Sequence, residues 1–189
     1  MSAPPASFYF DLASPLAYLA AERILHVLQH PAEWRPVLAR ELPGGEPAGG
    51  VREEIERRAL ELGLQPLVWP SRFPFDSAAA MRVATYAKGI GRVVPFAQAA
   101  FRQAFAGGHG LDDFDYVLIA AAACEMHPEA VKRGEALRSV REELSRATDE
   151  AARAGVTDVP AVRVGESVFQ GEGAVERAAA HLAAERVGT

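Results

Sequence analysis

Residues 8–19 read FYFDLASPLAYL, and the predicted fold is built outward from this segment. Phe8 to Phe10 favour a strand, whereas the apolar residues that follow recur with the period of a helix that continues to Leu28. Ser14 and Pro15 stand where a helix N-cap and a first helical residue belong. The pattern therefore predicts a strand, a tight turn and a helix, with the Ser14 hydroxyl at the helix N-terminus.

Ser14 has two interpretations at this position. The N–H groups at a helix start carry roughly half a positive charge, so a thiolate, carboxylate or phosphate is stabilised there. A Ser-Pro pair also caps helices in proteins of every function, and these residues alone favour simple capping. Asp11 leaves a similar choice, because it either orients a group near Ser14 or binds the turn as a strand-end acid.

The composition narrows the classes of function. With 189 residues, 49% of them hydrophobic and 24% charged, the chain suits a globular fold with one substantial core. Its net charge of −5 and the lack of a basic stripe argue against nucleic acid as a partner. Residues 1–7 do not have the pattern of a signal peptide, and no apolar run reaches the length of a membrane span. We therefore expect a cytoplasmic protein with neither a nucleic-acid nor a membrane partner.

Cysteine and histidine give no sign of a metal or disulfide site. The single cysteine, Cys124, excludes an internal disulfide and a cysteine-based metal site, and it lies in an apolar run where it is expected to be a small core residue. His26 and His30 have the spacing of a metal pair, but no third ligand is visible. We expect them to be surface residues, and we expect no metal.

The middle of the chain is predicted to be helical. A second strand over Glu33–Leu38 contains Pro36, which favours a sheet edge, and the loop Glu41–Gly50 is a candidate domain boundary. Helices are then predicted over 51–62, 76–88, 94–106, 114–126 (buried on most sides), from Pro128 with an interruption near Gly134, and from a Ser139–Glu142 capping box to Ala154, with Gly155 as the C′ residue.

Strands return at the end of the chain. Ala161–Val164 and Ser167–Phe169 are separated by the turn signal Gly165-Glu166, and a helix follows over Ala174–Glu185. This arrangement resembles a thioredoxin-like α/β fold with a DsbA-like helical insertion. We expect residues 1–40 and 155–189 to form the thioredoxin-like domain and residues 41–154 the inserted helical domain, with Phe8–Phe10 beside Ala161–Val164 in one sheet.

The second informative stretch is GVTDVPAV, residues 155–162. In a thioredoxin frame the residue before the third strand is a cis-proline packed against the first helix, so Pro160 is predicted to be cis, although cis X-Pro bonds are a minority of about 5–6%. The cis bond is expected to leave the backbone N–H and C=O of Val159 unpaired within the sheet, so that they can pair with an extended peptide beside Ser14.

Residues 9–19 resemble the opening of the 2-hydroxychromene-2-carboxylate isomerases and kappa-class glutathione transferases. Residues 155–160, with Phe169 and Gly171, resemble their closing segment, and the helical middle is compatible with the same family. The resemblance implies that Ser14 is the catalytic residue, which hydrogen-bonds the sulfur of glutathione and favours its thiolate. It places glutathione against a set of residues around Ser14, namely Ser14, Pro15, Val159, Pro160, Gly171 and Glu172.

The resemblance further implies a glutathione-dependent isomerase that acts on an unsaturated aromatic carboxylate, with a kappa-like transferase as the alternative and a homodimer as the assembly. The thiolate adds, allows bond rotation and leaves, so glutathione is a cofactor. The chain departs from the family pattern in containing no asparagine and in reading Gly171-Glu172-Gly173 after the hairpin. A non-catalytic thioredoxin-like module that binds a peptide or thiol is therefore kept as an alternative of another class.

An aromatic segment between the two domains is the candidate substrate pocket. Residues 64–75 contain three aromatic residues among three prolines, and clefts between domains are common small-molecule sites. Its alternative role is that of a rigid surface connector. The predicted pocket residues are Tyr18, Trp69, Phe73, Phe75 and Tyr86.

Overall fold

A computed structural model of the chain describes residues 5–45 and 52–187. Within these residues the sheet has four strands in the order β2-β1-β3-β4. The strands are β1 (Ala6–Phe10), β2 (Ala32–Pro36), β3 (Ala161–Val164) and β4 (Ser167–Gln170). β1 is parallel to β2 and antiparallel to β3, and β3 is antiparallel to β4. The predicted pairing of the two ends of the chain is therefore confirmed, and so is the edge position of the strand that contains Pro36.

Helices cover the sheet and fill the middle of the chain. They are α1 (Pro15–Ala21), α2 (Ile24–Val27), α3 (Arg52–Glu61), α4 (Ala78–Gly89), α5 (Val93–Phe105), α6 (Phe114–Ala122), α7 (Pro128–Ala136), α8 (Arg138–Arg153) and α9 (Ala174–Val187), with a short 3-10 turn at Ala39–Glu41. Residues 76–150 are all described and contain no strand. The predicted fold class, a thioredoxin-like sheet with a helical insertion, is confirmed.

β1 packs on both faces of the sheet, as its two-residue period requires. Phe8 and Phe10 contact the Trp34 ring at centroid distances of 4.9 and 5.7 Å. Phe10 also contacts Phe101 of α5 at 5.9 Å, so the core is continuous between the sheet and the inserted helices. Tyr9 points to the other face and packs in a second cluster of buried residues. Because both faces are buried, a one-residue slip of β1 would misplace every side chain, and its register is fixed.

The first helix is shorter than predicted. It ends at Ala21, and a separate turn, α2, begins at Ile24. The N–H of Arg23 donates to the carbonyl of Ala20, three residues back, so the end of α1 tightens and the chain changes direction. Ile24 then enters the core, while Arg23 pairs with Glu176 of α9. A hydrophobic period cannot reveal such a break, because the apolar residues keep their spacing across it.

Two predictions about the inserted helices are wrong, and a third is confirmed. α8 has Leu137 as its N-cap, so Ser139 is not the cap, and Glu142 pairs instead with Arg138 at 2.6 Å. α6 ends at Ala122, and Ile119 is 50% exposed, because this helix packs only one side against its neighbours. The interruption predicted near Gly134 is present, since α7 ends at Ala136 and the break lies at Leu137.

Two further predicted boundaries are the end of α8 and the loop before α3. Gly155 follows α8 with φ of +89°, which confirms it as the left-handed C′ residue. The predicted loop Glu41–Gly50 is described only as far as Gly45, and Val51 also lies outside the described residues.

Candidate functional site

The turn between β1 and α1 has the predicted cap. The Ser14 hydroxyl oxygen accepts a hydrogen bond from the N–H of Ala17 at 3.1 Å, and Pro15 is the first residue of the helix. The N–H of Ser14 donates to the carbonyl of Asp11 at 3.0 Å and closes the turn. Ser14 and Pro15 are both buried. The local sequence therefore places a hydroxyl, already oriented by one hydrogen bond, at the start of α1.

Asp11 binds the turn rather than Ser14. Its carboxylate accepts hydrogen bonds from the N–H groups of Ala13 at 2.9 Å and Ala39 at 3.0 Å, and also from the Ser77 hydroxyl. Burial raises the pKa of Asp11, and these hydrogen bonds lower it only in part. Asp11 therefore joins β1, the 3-10 turn and the start of α4, which is the structural one of its two predicted roles.

The predicted cis bond lies beside Ser14. The Val159–Pro160 peptide is cis, and the Ser14 hydroxyl donates to the Val159 carbonyl at 3.5 Å. The Val159 N–H, however, donates to the Asp158 carboxylate at 2.7 Å. As predicted, neither backbone group of Val159 pairs within the sheet, but the N–H is held by the preceding side chain and the carbonyl by Ser14.

The loop that carries Pro160 is held from two sides. The Gln170 side-chain oxygen accepts from the N–H groups of Thr157 at 2.8 Å and Asp158 at 3.3 Å. The N–H of Gly44 donates to the Thr157 carbonyl at 2.7 Å, and a Cβ at Gly44 would lie only 2.3 Å from that oxygen. No local sequence pattern indicates these roles of Gln170 and Gly44, because they depend on distant segments that meet at this loop.

A cleft of about 20 Å³ lies between α1, α3 and the loop that joins β4 to α9. Of the residues predicted to bind glutathione, Pro160, Gly171 and Glu172 line it. Ser14, Pro15 and Val159 do not, and all three are buried. The remaining lining residues come from α1, α3, α9 and the residues directly beside these helices, and they are Leu16, Leu19, Ala20, Arg23, Arg58, Leu62 and 173–176.

Charged side chains of both signs line this cleft. Arg58 of α3 pairs with Glu172 at 3.0 Å, and Arg23 pairs with Glu176. The pair between Arg58 and Glu172 joins the inserted helices to the thioredoxin-like part. Neither arginine stands out in the sequence, since each reaches the cleft only through tertiary packing: Arg58 on α3, and Arg23 in the turn between α1 and α2.

Four of the five predicted pocket residues form one aromatic cluster. The ring of Phe105 contacts Tyr18 at 5.7 Å, Trp69 at 6.1 Å, Phe73 at 6.0 Å and Phe75 at 6.4 Å. Tyr18 and Phe75 are buried, whereas Trp69 and Phe73 are half-buried. Burial also raises the pKa of the Tyr18 phenol, with the charge of Glu22 adding to it. The rings pack on each other, so a role in binding substrate stays a prediction.

α3 covers this aromatic cluster from outside. The Arg52 guanidinium lies over the Trp69 ring at 5.0 Å and over Phe73 at 5.9 Å, a cation–π arrangement. The Trp69 indole N–H donates to the Glu56 carboxylate at 2.6 Å. Because Arg58 of the same helix lines the cleft at Pro160, α3 is a wall shared by the cleft and the cluster.

Tyr86 is not part of this cluster, and its predicted place near Ser14 is wrong. It lines a separate cavity of about 410 Å³ between α4 and α8, together with Ser139 and Val140. Its ring occupies the space beside Gly134, where a Cβ would lie 2.4 Å from it. Met81, whose sulfur accepts from the N–H of Leu12 at 3.2 Å, marks the face of α4 that meets the turn. Tyr86 lies five residues on, about 140° around the helix.

The remaining features considered in the sequence are the single cysteine, metal-binding groups and membrane-spanning helices. Burial raises the pKa of the Cys124 thiol, and the residue packs in the core. Among residues 5–45 and 52–187, no group of three or more His, Cys, Asp or Glu side chains could hold a metal ion. In the same part of the chain no helix is both long and apolar enough to cross a membrane.

The sheet order, the helical insertion and the cis-proline beside the start of α1 define a thioredoxin-like protein of the DsbA branch. The family model of the DSBA-like thioredoxin domain matches residues 7–183, so the chain belongs to this family. A comparison with curated proteins found no match.

Solved structures share the fold at low sequence identity. A 2-hydroxychromene-2-carboxylate isomerase is 18% identical with a TM-score of 0.80, over 97% of this chain and 98% of that one. A probable DsbA oxidoreductase from Streptomyces coelicolor is 17% identical with a TM-score of 0.80, over 98% and 91% of the two chains. The cytosolic disulfide reductase DsbM from Pseudomonas aeruginosa, solved with GSH, is 13% identical with a TM-score of 0.66, over 97% and 99%.

Proposed function

We propose that this protein is a glutathione-dependent isomerase of an unsaturated aromatic carboxylate, similar to 2-hydroxychromene-2-carboxylate isomerase. The observation that carries the proposal is the Ser14 hydroxyl at the start of α1, 3.5 Å from the carbonyl that precedes cis-Pro160. Disulfide exchange needs cysteines at this position, and the one cysteine of the chain, Cys124, lies elsewhere in the core. The reacting thiol must therefore come from a small molecule.

Ser14 is suited to stabilise a thiolate. Its hydrogen bond to the Val159 carbonyl is at the long limit, at 3.5 Å, so redirecting the hydroxyl hydrogen to an incoming sulfur costs little. The N–H of Ala17 continues to hold the oxygen during that change. A hydrogen bond to the charged form of a thiol lowers its pKa, and the thiolate is the nucleophile.

The cleft at Pro160 matches the polar end of glutathione. Glutathione carries one ammonium and two carboxylates, and the cleft is lined by Glu172 and Arg58, which pair with each other and would exchange this pair for the ammonium and a carboxylate of the ligand. Pro15, Gly171 and the Val159–Pro160 backbone would border the peptide part. The cleft must widen for this, because small-molecule sites are typically about 300–1,000 Å³. α3 is the wall we expect to move, since it belongs to the inserted segment and meets Glu172 through the Arg58 side chain.

The chemistry needs no redox step. The thiolate adds to a carbon of the conjugated double bond, a C–S bond forms, and the electron pair moves toward the conjugated carbonyl. The former double bond is then single and rotates. When the electron pair returns, the double bond reforms in the new geometry, the C–S bond breaks and the thiolate leaves. The half-buried rings of Trp69 and Phe73 are the aromatic surface we assign to the substrate.

The names of the structural neighbours support a thiol ligand, since one is an isomerase of this kind and another was solved with GSH. The same neighbour is a cytosolic protein by name, in keeping with a cytoplasmic location here. A kappa-like transferase would use the same thiolate but keep the C–S bond in its product. The two reactions differ in one measurable quantity, the glutathione consumed.

Kinetics of a serine variant test the proposal. Isomerisation of a cis-unsaturated aromatic carboxylate is followed with glutathione for the wild type, Ser14→Ala and the exposed control Ser139→Ala. We expect Ser14→Ala to lose about a hundredfold in rate, as when a preorganised hydrogen bond to a developing anion is removed, and Ser139→Ala to lose nothing. Glutathione should remain constant. Binding without turnover in the wild type would favour the non-catalytic module, and an active Ser14→Ala would reduce Ser14 to a cap.

A further inference from the structure

Asp158 occupies the backbone donor that a peptide ligand would use. Its carboxylate oxygen accepts the Val159 N–H at 2.7 Å, which is short for an N–H to oxygen hydrogen bond. Hydrogen bonds with an ionised partner are roughly twice as strong as neutral ones. The donor beside cis-Pro160 is therefore already bound within the protein.

The carboxylate is held in this place by its loop. The N–H groups of Thr157 and Asp158 both donate to the Gln170 side chain, and the N–H of Gly44 donates to the Thr157 carbonyl. Asp158 is half-buried between the fully buried Val159 and the exposed Thr157. Because the backbone of this loop is held, a ligand that takes the Val159 N–H has to displace the Asp158 side chain.

We propose that Asp158 is an internal competitor that controls which thiols this site accepts. A thiol with a peptide backbone must displace the carboxylate to pair its carbonyl with the Val159 N–H, whereas a small thiol without a carbonyl gains nothing from that exchange. The negative charge also opposes a ligand carboxylate placed beside Val159. Asp158 thus weakens the binding of peptide thiols, and its removal strengthens it. This inference rests on the proposed thiol site but makes a separate claim about affinity.

Calorimetric titration with S-methylglutathione tests the competition. This probe has the peptide backbone of glutathione but no ionisable thiol, so Ser14 chemistry does not enter. We expect Asp158→Ala to bind it about tenfold more tightly than the wild type, the gain expected when one charge-assisted competitor is removed. Asp158→Asn keeps an acceptor without the charge and should lie between them. Asp149→Ala, which removes an exposed carboxylate of α8, should leave the affinity unchanged.

Two further measurements keep the outcome clear. The melting temperature of each variant shows whether it is folded. If Asp158→Ala does not fold, Asp158→Asn replaces it in the comparison with the wild type. Amide hydrogen exchange at Val159 should accelerate in Asp158→Ala while the melting temperature is preserved. Equal affinities in folded wild type and Asp158→Ala would overturn the competition and leave the Ser14 proposal intact. If no variant binds S-methylglutathione, the competition is overturned as well. The proposed function is tested separately, by whether the wild type isomerises the aromatic carboxylate with glutathione.

Discussion

Asp11 and Ser14 lie at the two ends of one turn, yet their side chains are held in opposite ways. The Asp11 carboxylate accepts from the N–H groups of Ala13 and Ala39 at 2.9 and 3.0 Å and from a hydroxyl. The Ser14 hydroxyl has one good hydrogen bond, from the Ala17 N–H at 3.1 Å, and one long one at 3.5 Å. The turn therefore has an anchor, Asp11, and a second polar group, Ser14, that is held by fewer and longer hydrogen bonds.

Removal of the Asp11 anchor is expected to lower the free energy of unfolding more than any other change considered. Asp11→Ala leaves two backbone N–H groups in the core without their acceptor, and each such group costs about 1–3 kcal/mol. We expect the free energy of unfolding to fall by about 2–5 kcal/mol on the same scale. Urea denaturation measures it, with the exposed Asp149→Ala as the control. A loss no larger than the control's would show that Asp11 does not hold the turn.

The next effect concerns the loop on the other side of Ser14. At Gly44 an added Cβ would lie 2.3 Å from the Thr157 carbonyl, so Gly44→Ala must push the Pro160 loop away. Overpacking of this kind costs about 1–3 kcal/mol. Gly89→Ala is the matched control, because a Cβ there meets nothing within 4 Å, and it should be neutral or stabilising by up to about 1 kcal/mol. Equal stabilities of the two variants in urea would contradict the close approach.

Ser14→Ala should destabilise less than Asp11→Ala. It removes one N-cap hydrogen bond, which is worth about 0.5–2 kcal/mol, and it leaves one backbone N–H, that of Ala17, without its side-chain acceptor, whereas Asp11→Ala leaves two. The same urea experiment provides the comparison. If Ser14→Ala proved the more destabilising of the two, Ser14 would be the anchor and the assignment of roles would have to be reversed.

The smallest effect is a dependence of stability on pH. Burial raises the pKa of Asp11 in the folded state, whereas aspartate in an unfolded chain titrates near about 3.9. The folded state then binds the proton more tightly, so the wild type loses stability as the pH rises from the unfolded pKa through the folded one. Urea curves at several pH values, with Asp11→Asn as reference, measure the slope. A wild type that gains stability over this range would mean that its hydrogen bonds outweigh burial.

The features that could be predicted from the sequence are those that follow from residue type or from the order of the strands. Ser14-Pro15 starts a helix because of capping and a fixed backbone angle, and Gly155 ends one because of a left-handed conformation. The cis state of Pro160 followed from its place in the order of strands. Each of these needs only neighbouring residues or the topology, so the frame and the position of Ser14 were predicted correctly.

The contacts that could not be predicted are those that depend on the direction of a side chain in the folded protein. Tyr86 was assigned to the site by residue type, but its position on α4 turns it toward Gly134. Arg58 reaches Glu172 only because α3 packs beside α1. Asp158 was not singled out, since nothing in a sequence indicates that a carboxylate will reach the N–H of the next residue. Such contacts are set by tertiary packing.

The proposed role of Ser14 is best tested by the ionisation of bound glutathione. Ultraviolet absorbance of the thiolate is titrated against pH with saturating protein, for the wild type and for Ser14→Ala. If Ser14 stabilises the thiolate, the thiol of bound glutathione has a pKa below the ordinary value of about 8.5 in the wild type, and this pKa returns toward the ordinary value in Ser14→Ala. An unshifted pKa in the wild type, or an equal shift in both proteins, would contradict a thiolate stabilised by the Ser14 hydroxyl.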